Sequence, residues 1–190
     1  MKRTAGIIFI LILLTSNIMA TEKQAYRVVH AENEFEIRFY PSAILATIHS
    51  QARSYRELSV PGFRQLAGYI FGGNESGTKI AMTSPVHMDI NDSLSSMSFV
   101  MPSSYEMEKL PDPDNGRVKL EETTDEYVAV LKFGGYASDK RIQRYSAELK
   151  KLLEERKIQY NGRFRYLGYN PPYQPFGRRN EIIVSVEWAE

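Results

Sequence analysis

Apolar residues in this chain recur at every second position, then at every third or fourth, then at every second again. The whole alternation occurs twice. In "FEIRFYPSAILATI", Phe35, Ile37 and Phe39 share one face, a Pro41-Ser42 turn intervenes, and Ile44, Ala46 and Ile48 resume the pattern. Period two marks half-buried strands. Phe63, Leu66, Ala67, Ile70 and Phe71 then fall at helical spacing on one expected stripe. Ser59 is the expected N-cap, with Pro61 in the first turn, and Gly72-Gly73-Asn74 ends the helix. "KIAMTSPVHMDI" and "MSFVMP" supply two more strands. The second half repeats this order: "VKLEE" and "YVAVLKF", a helix capped by Ser138 and carrying Ile142, Tyr145, Leu149, Leu152 and Leu153, then "FRYLGYN" and "EIIVSVEW". The Pro-, Ser- and Asp-rich stretch from Pro102 to Gly116 reads as a surface loop inside one domain, since neither half has enough residues for a separate core. Two strand–helix–strand–strand units predict an α+β fold with helices packed on a mainly antiparallel sheet.

The first residues follow a different rule. Lys2 and Arg3 precede an apolar run from Ala5 to Leu14, and a polar stretch then ends at Ala20. That order is expected of a secretory signal peptide over residues 1–20, removed to leave a single domain over residues 21–190 in a secreted or periplasmic protein. The run is shorter than the ~20 apolar residues that span a bilayer, although a retained anchor is the competing reading. Taking Lys2 and Arg3 from the 24 basic residues leaves 22 against 23 acidic ones, a net charge of −1. Such a balance suggests no nucleic-acid or anionic-membrane partner. The chain has no cysteine, which excludes disulfides, zinc-thiolate sites, thiolate haem ligation and CxxCH haem attachment.

Five stretches, "FEIRFY", "GFRQLAGYIFGGN", "KIAMTSPV", "FGGYAS" and "LGYNPPYQPFGRRNEI", occur in an order that resembles the SOUL haem-binding protein family. The resemblance spans nearly all of the chain after residue 20. It implies a distorted β-barrel made of two related halves and flanked by two helices. It also implies a shallow groove, between the first helix and the "YNPPYQPFGRRN" loop, that takes haem or a related tetrapyrrole without a covalent bond. The two-repeat plan is similar as well to the effector-binding domains of bacterial multidrug-sensing regulators, which take apolar ligands.

On that basis the candidate binding residues are Phe63 and Ala67 as an apolar floor, Tyr173 and Phe176 as flat rings, and Arg178 and Arg179 as partners for propionates. A structural role for the arginines, capping carbonyls or facing water, stands beside that reading. Some members carry a proposed axial histidine in the counterpart of "EIRFY"; Phe39 stands there in this chain. Basic groove residues of the family have Val60 and Gly68 in their place on the helix. In an alternating strand Met82 and Met88 point one way and His87 the other, which argues against a joint His/Met haem site. His30 and His49 read as strand-edge residues. Neither the trio Ser84, His87 and Asp89 nor the acidic group Asp112, Asp114 and Asn115 has the pattern of a hydrolase or an EF-hand. The expectation is a binding protein, not an enzyme, with no metal site of its own. An apolar small-ligand module and a hydrolase on the same architecture are the alternatives.

Overall fold

The computed structural model describes residues 21–189; the expected leader over residues 1–20 lies outside them. The elements run β1 (Glu22–Lys23), β2 (Arg27–Ala31), β3 (Glu36–Tyr40), β4 (Ile44–Ser50), α1 (Tyr55–Ile70), β5 (Thr83–Ser84), β6 (Val86–Asp89) and β7 (Ser95–Val100). The second half adds β8 (Val118–Glu122), β9 (Glu126–Phe133), α2 (Asp139–Glu155), β10 (Tyr160–Gly168) and β11 (Asn180–Val186). Nine strands form one sheet in the order β2-β3-β9-β11-β10-β6-β7-β4-β8, and β1 pairs in parallel with β5. Every neighbouring pair in the large sheet is antiparallel. The α+β expectation holds. The distorted barrel implied by the resemblance is not closed here: β2 and β8 are the two edges of the nine-stranded sheet.

The repeat read from periodicity is built into the strand order. In each half the strand before the helix pairs with the second strand of the large sheet after it, giving β4-β7-β6 and β9-β11-β10, and the two trios meet at β6 and β10. The remaining strands are exchanged. β3 from the first half pairs with β9, and β8 from the second half pairs with β4.

Helix α1 begins earlier than expected, at the N-cap Ser54, whose side chain accepts from Glu57 N. Glu57 reaches back to Arg53 N at 2.9 Å, so the sequence Ser54-x-x-Glu57 forms a reciprocal cap that outcompetes Ser59. Pro61 therefore lies inside the helix, on an exposed position where the carbonyl it leaves unbonded can meet water. Ser138 caps α2 as expected, accepting from Arg141 N.

Both helices cover the same side of the sheet. Leu58, Leu66, Tyr69 and Ile70 of α1 and Leu149, Leu152 and Leu153 of α2 enter one core with Ile37, Ile48, Met97, Phe99, Leu131 and Ile182. The opposite side is covered too, which alternation alone did not reveal. Tyr40, Val128, Val130, Leu167 and Ile183 form a second, smaller cluster there under Tyr26 and Tyr169.

Candidate functional site

The stripe expected on α1 divides in two. Leu66 and Ile70 are buried, Ala67 is 8% exposed, and Phe63 and Phe71 turn outward at 41% and 64%. At 100° per residue, Arg56, Val60, Phe63, Arg64, Ala67 and Phe71 lie within one arc of about 100°, in which Ala67 is buried and the other five are exposed. Phe63 keeps an edge-on contact of 5.1 Å with Phe99, and the rest of its ring meets solvent. Among the described residues, neither Arg56 nor Arg64 has a hydrogen-bond or ion-pair partner for its guanidinium. This face is an apolar strip with two cations beside it.

The "YNPPYQPFGRRN" loop joins β10 to β11. Tyr173 and Phe176 stand at its tip, more than four-fifths exposed. Arg178 is turned into the loop instead: its Nη1 donates to Pro171 O at 2.7 Å and to Gln174 O at 2.9 Å, and its guanidinium stacks over Tyr136 at 4.4 Å. Tyr55, in the first turn of α1, meets Tyr166 of β10 edge-on at 5.5 Å, and burial raises its phenol pKa while the Arg178 charge offsets part of that rise. Asn180 fixes the exit of the loop, accepting from Tyr166 Oη at 2.7 Å and donating to Gly135 O at 2.8 Å.

Arg179 belongs to a buried charge network on the far side of the sheet. Its Nη2 donates to Glu181 at 2.7 Å and to Tyr26 Oη at 3.0 Å. Glu181 also takes both nitrogens of the fully buried Arg38, at 2.9 and 3.0 Å, and the Tyr169 hydroxyl at 2.8 Å. Burial works against the Arg38 and Arg179 charges, but Glu181 outweighs it and both pKa values lie above the ordinary guanidinium range. Two cations around one carboxylate, roofed by Tyr26 over Arg38 at 4.1 Å, make a satisfied structural knot. The guanidinium groups of Arg178 and Arg179 thus already have partners within the protein.

None of the three histidines faces α1. Met88 packs into the main core and Met82 against it, while His87 points to the other side and meets Gln24 Oε1 at 2.8 Å. Burial, with Arg165 nearby, pushes the His87 pKa down to about 3. His30 lies beside Glu32 and Trp188 on the edge strand β2, and His49 faces Glu121 across β4 and β8 at 3.8 Å. Phe39, at the place of the family's proposed ligand histidine, meets Tyr127 at a tilt, with ring centroids 5.2 Å apart. Ser84 and His87 each engage the N-terminal segment, through Glu22 O and Gln24, and no hydrogen bond joins Ser84, His87 and Asp89 among the described residues. Nor do the described residues hold a cluster of three metal-ligating side chains.

The model of the SOUL heme-binding protein family matches residues 21–185. The chain belongs to the SOUL family. Curated SOUL relatives include heme-binding protein 1 of Xenopus laevis, 28% identical over 155 residues, which cover 78% of this chain and 81% of the relative. Heme-binding protein 2 of Mus musculus is 29% identical over 156 residues, 78% of this chain and 76% of the relative. Among solved structures, the C-terminal domain of EcmrR superposes with a TM-score of 0.62 at 9% identity, over 86% of this chain and 99% of that one. A structure described as a hydrolase from Listeria innocua gives 0.56 at 14% identity, over 84% and 94%. At those identities the likeness to solved structures is one of fold.

Reasoning from sequence missed Arg56 and Arg64 as candidates for the SOUL site. The signal was present: with the helix started at Ser54, both fall at helical spacing from Phe63 and Val60 on the outward arc. Starting the helix at Ser59 left Arg56 out of it and merged the inward and outward apolar residues into one stripe.

Proposed function

We propose that this protein binds haem or a related tetrapyrrole without a covalent bond, weakly and without histidine ligation, on the outward face of α1. The observation that carries the reading is the arc itself, where Val60, Phe63 and Ala67 are flanked by the unpartnered cations Arg56 and Arg64. An apolar macrocycle with two carboxylates needs a flat apolar contact with positive charge at its margin, and this face supplies both. Phe63 and Ala67 form the floor, and Tyr173 and Phe176 offer exposed rings from the loop. Arg178 and Arg179 hold that loop in shape through its carbonyls and through Glu181, leaving propionate pairing to Arg56 and Arg64. Names of the curated relatives support the ligand class, and the positions of His30, His49 and His87 support a site without an imidazole on iron. Bound haem would supply redox or gas-binding chemistry, while this chain supplies apolar contact, orientation and charge. Non-enzymatic binding is the better reading, since Ser84, His87 and Asp89 do not assemble.

We further propose export, with cleavage after Ala20 and a secreted or periplasmic location. The order of Lys2-Arg3, apolar run and Ala20 supports it. Pairing of Glu22 and Lys23 with Thr83 and Ser84 means that such a cut leaves the first strand intact.

Spectroscopic titration with haem and with metal-free porphyrin tests the site. Equal affinity for both is expected, because iron contributes no bond to the protein. Arg56→Gln and Arg64→Gln should each weaken porphyrin binding by up to roughly fivefold, in line with the ~0.2–1 kcal/mol of exposed ion pairs. If His87→Ala abolished binding while the two arginine variants bound normally, the reading would be wrong.

A further inference from the structure

The two helices occupy equivalent places in the two halves, yet their solvent faces differ in kind. On α2 the outward positions are polar, and Lys150–Glu154 and Lys151–Glu155 pair one turn apart at 3.8 and 3.6 Å. That is an ordinary hydrated face. On α1 the corresponding surface shows Val60 at 63%, Phe63 at 41% and Phe71 at 64% exposure. Its arginines, Arg56 and Arg64, have no acidic partners among the described residues, and the one carboxylate of the helix, Glu57, is held by the backbone at Arg53. Phe71 also bridges to the backbone of Lys79, which adds an exposed cation at the far end. From Arg56 to Phe71 the strip runs about 22 Å along the helix axis.

From this contrast we infer that the outward face of α1 docks on an anionic lipid bilayer, lying in the plane of the interface. A helix face with spread apolar side chains offers a folded protein partner no groove, whereas a fluid interface moulds to it. Cations at the margin, left without carboxylates of their own, select for anionic headgroups. Val60, Phe63 and Phe71 enter the boundary between headgroup and acyl chain, and Arg56, Arg64 and Lys79 meet phosphates. A peripheral contact of this sort brings the face to where apolar porphyrins partition. Docking of this kind does not depend on tetrapyrrole binding.

The test is flotation of the chain from Thr21 onward, which contains every element of the fold, with vesicles of phosphatidylcholine alone or with added phosphatidylglycerol. No porphyrin is present, so a failure of tetrapyrrole binding leaves the result untouched. Binding to the anionic vesicles alone is expected, falling as salt is raised. Arg56→Gln/Arg64→Gln should lower the partition coefficient by roughly fivefold per arginine removed. Val60→Ser/Phe71→Ser should lower it as well, while Lys150→Gln/Lys151→Gln on α2 should leave it unchanged. Equal binding to both vesicle types, absence of binding to either, or full binding by both α1 variants overturns the inference. The salt series on the unaltered protein decides the matter even if a variant folds poorly.

Discussion

Burial, with the positive charge of Arg165 nearby, holds the His87 imidazole neutral in the folded state, where it meets Gln24 of the N-terminal segment. Its pKa of about 3 lies far below the value of an unfolded histidine. The sign follows from proton counting: between about pH 6.5 and 3 the unfolded chain binds a proton that the native protein refuses, so stability falls as the pH falls. The ceiling is ~1.4 kcal/mol per pH unit, and the part-exposed ring makes ~1 kcal/mol the expected slope. Urea unfolding at pH 7, 6 and 5 should therefore show a steeper loss for the natural protein than for His87→Gln; parallel curves would mean that His87 titrates normally. Glu181 is the second residue whose loss is informative. Glu181→Ala removes the carboxylate shared by two guanidinium groups, leaving the buried Arg38 with Glu36 as its one acidic partner, and should cost ~3–5 kcal/mol in the same assay. A cost below ~1 kcal/mol would show that water reaches Arg38.

At the scale of the element, α1 carries both the core contact and the candidate site, and single substitutions separate them. Leu66→Ala, fully buried against the sheet, should cost ~2–5 kcal/mol, whereas Val60→Ser on the outward arc should stay within ~0.5 kcal/mol. Ser54→Ala should cost ~0.5–2 kcal/mol and Ser59→Ala nearly nothing, because only Ser54 satisfies a free N–H at the helix start. Chemical denaturation midpoints decide each pair; equal costs for the two serines would put the cap elsewhere. Most element identity was legible in the sequence, since periodicity located both helices and every strand of the large sheet except the edge strand β2. What misled was local: Pro61 favoured a first-turn position, and the Ser54–Glu57 cap overrode it. That shift of start hid Arg56, and merging the two faces into one stripe passed over Arg64, so the candidate site read from sequence held the loop arginines instead. Arg178 and Arg179 look free in a sequence because carbonyl capping and a carboxylate two residues on, Glu181, leave no periodic trace.

The whole molecule depends on exchange between its halves. The repeat was legible as two runs of the same periodicity, and the strand order bears it out. The exchange was not legible, because nothing in an alternating pattern names the partner of a strand. The second covered face was equally hidden: Arg38 and Glu181 occupy the polar phase of their strands, and only the Tyr26 and Tyr169 roof buries them. With β3 paired to β9 and β8 paired to β4, each half alone would lose an outer strand's partner and expose a long unpaired edge. Each would also lose its share of one continuous core, since α1 and α2 both feed the same cluster. A cut between Ser103 and Ser104, both exposed in the connecting loop, makes this testable. Residues 21–103 and 104–190, made separately, should show no cooperative thermal transition. Mixed in equal amounts, they should recover one through the exchanged strands, at a midpoint that rises with concentration because the complex is bimolecular. Either fragment melting cooperatively by itself would mean that the exchange is ornamental and that each half is a domain; a mixture that stays unfolded would mean that the continuous connection is needed to bring the halves together.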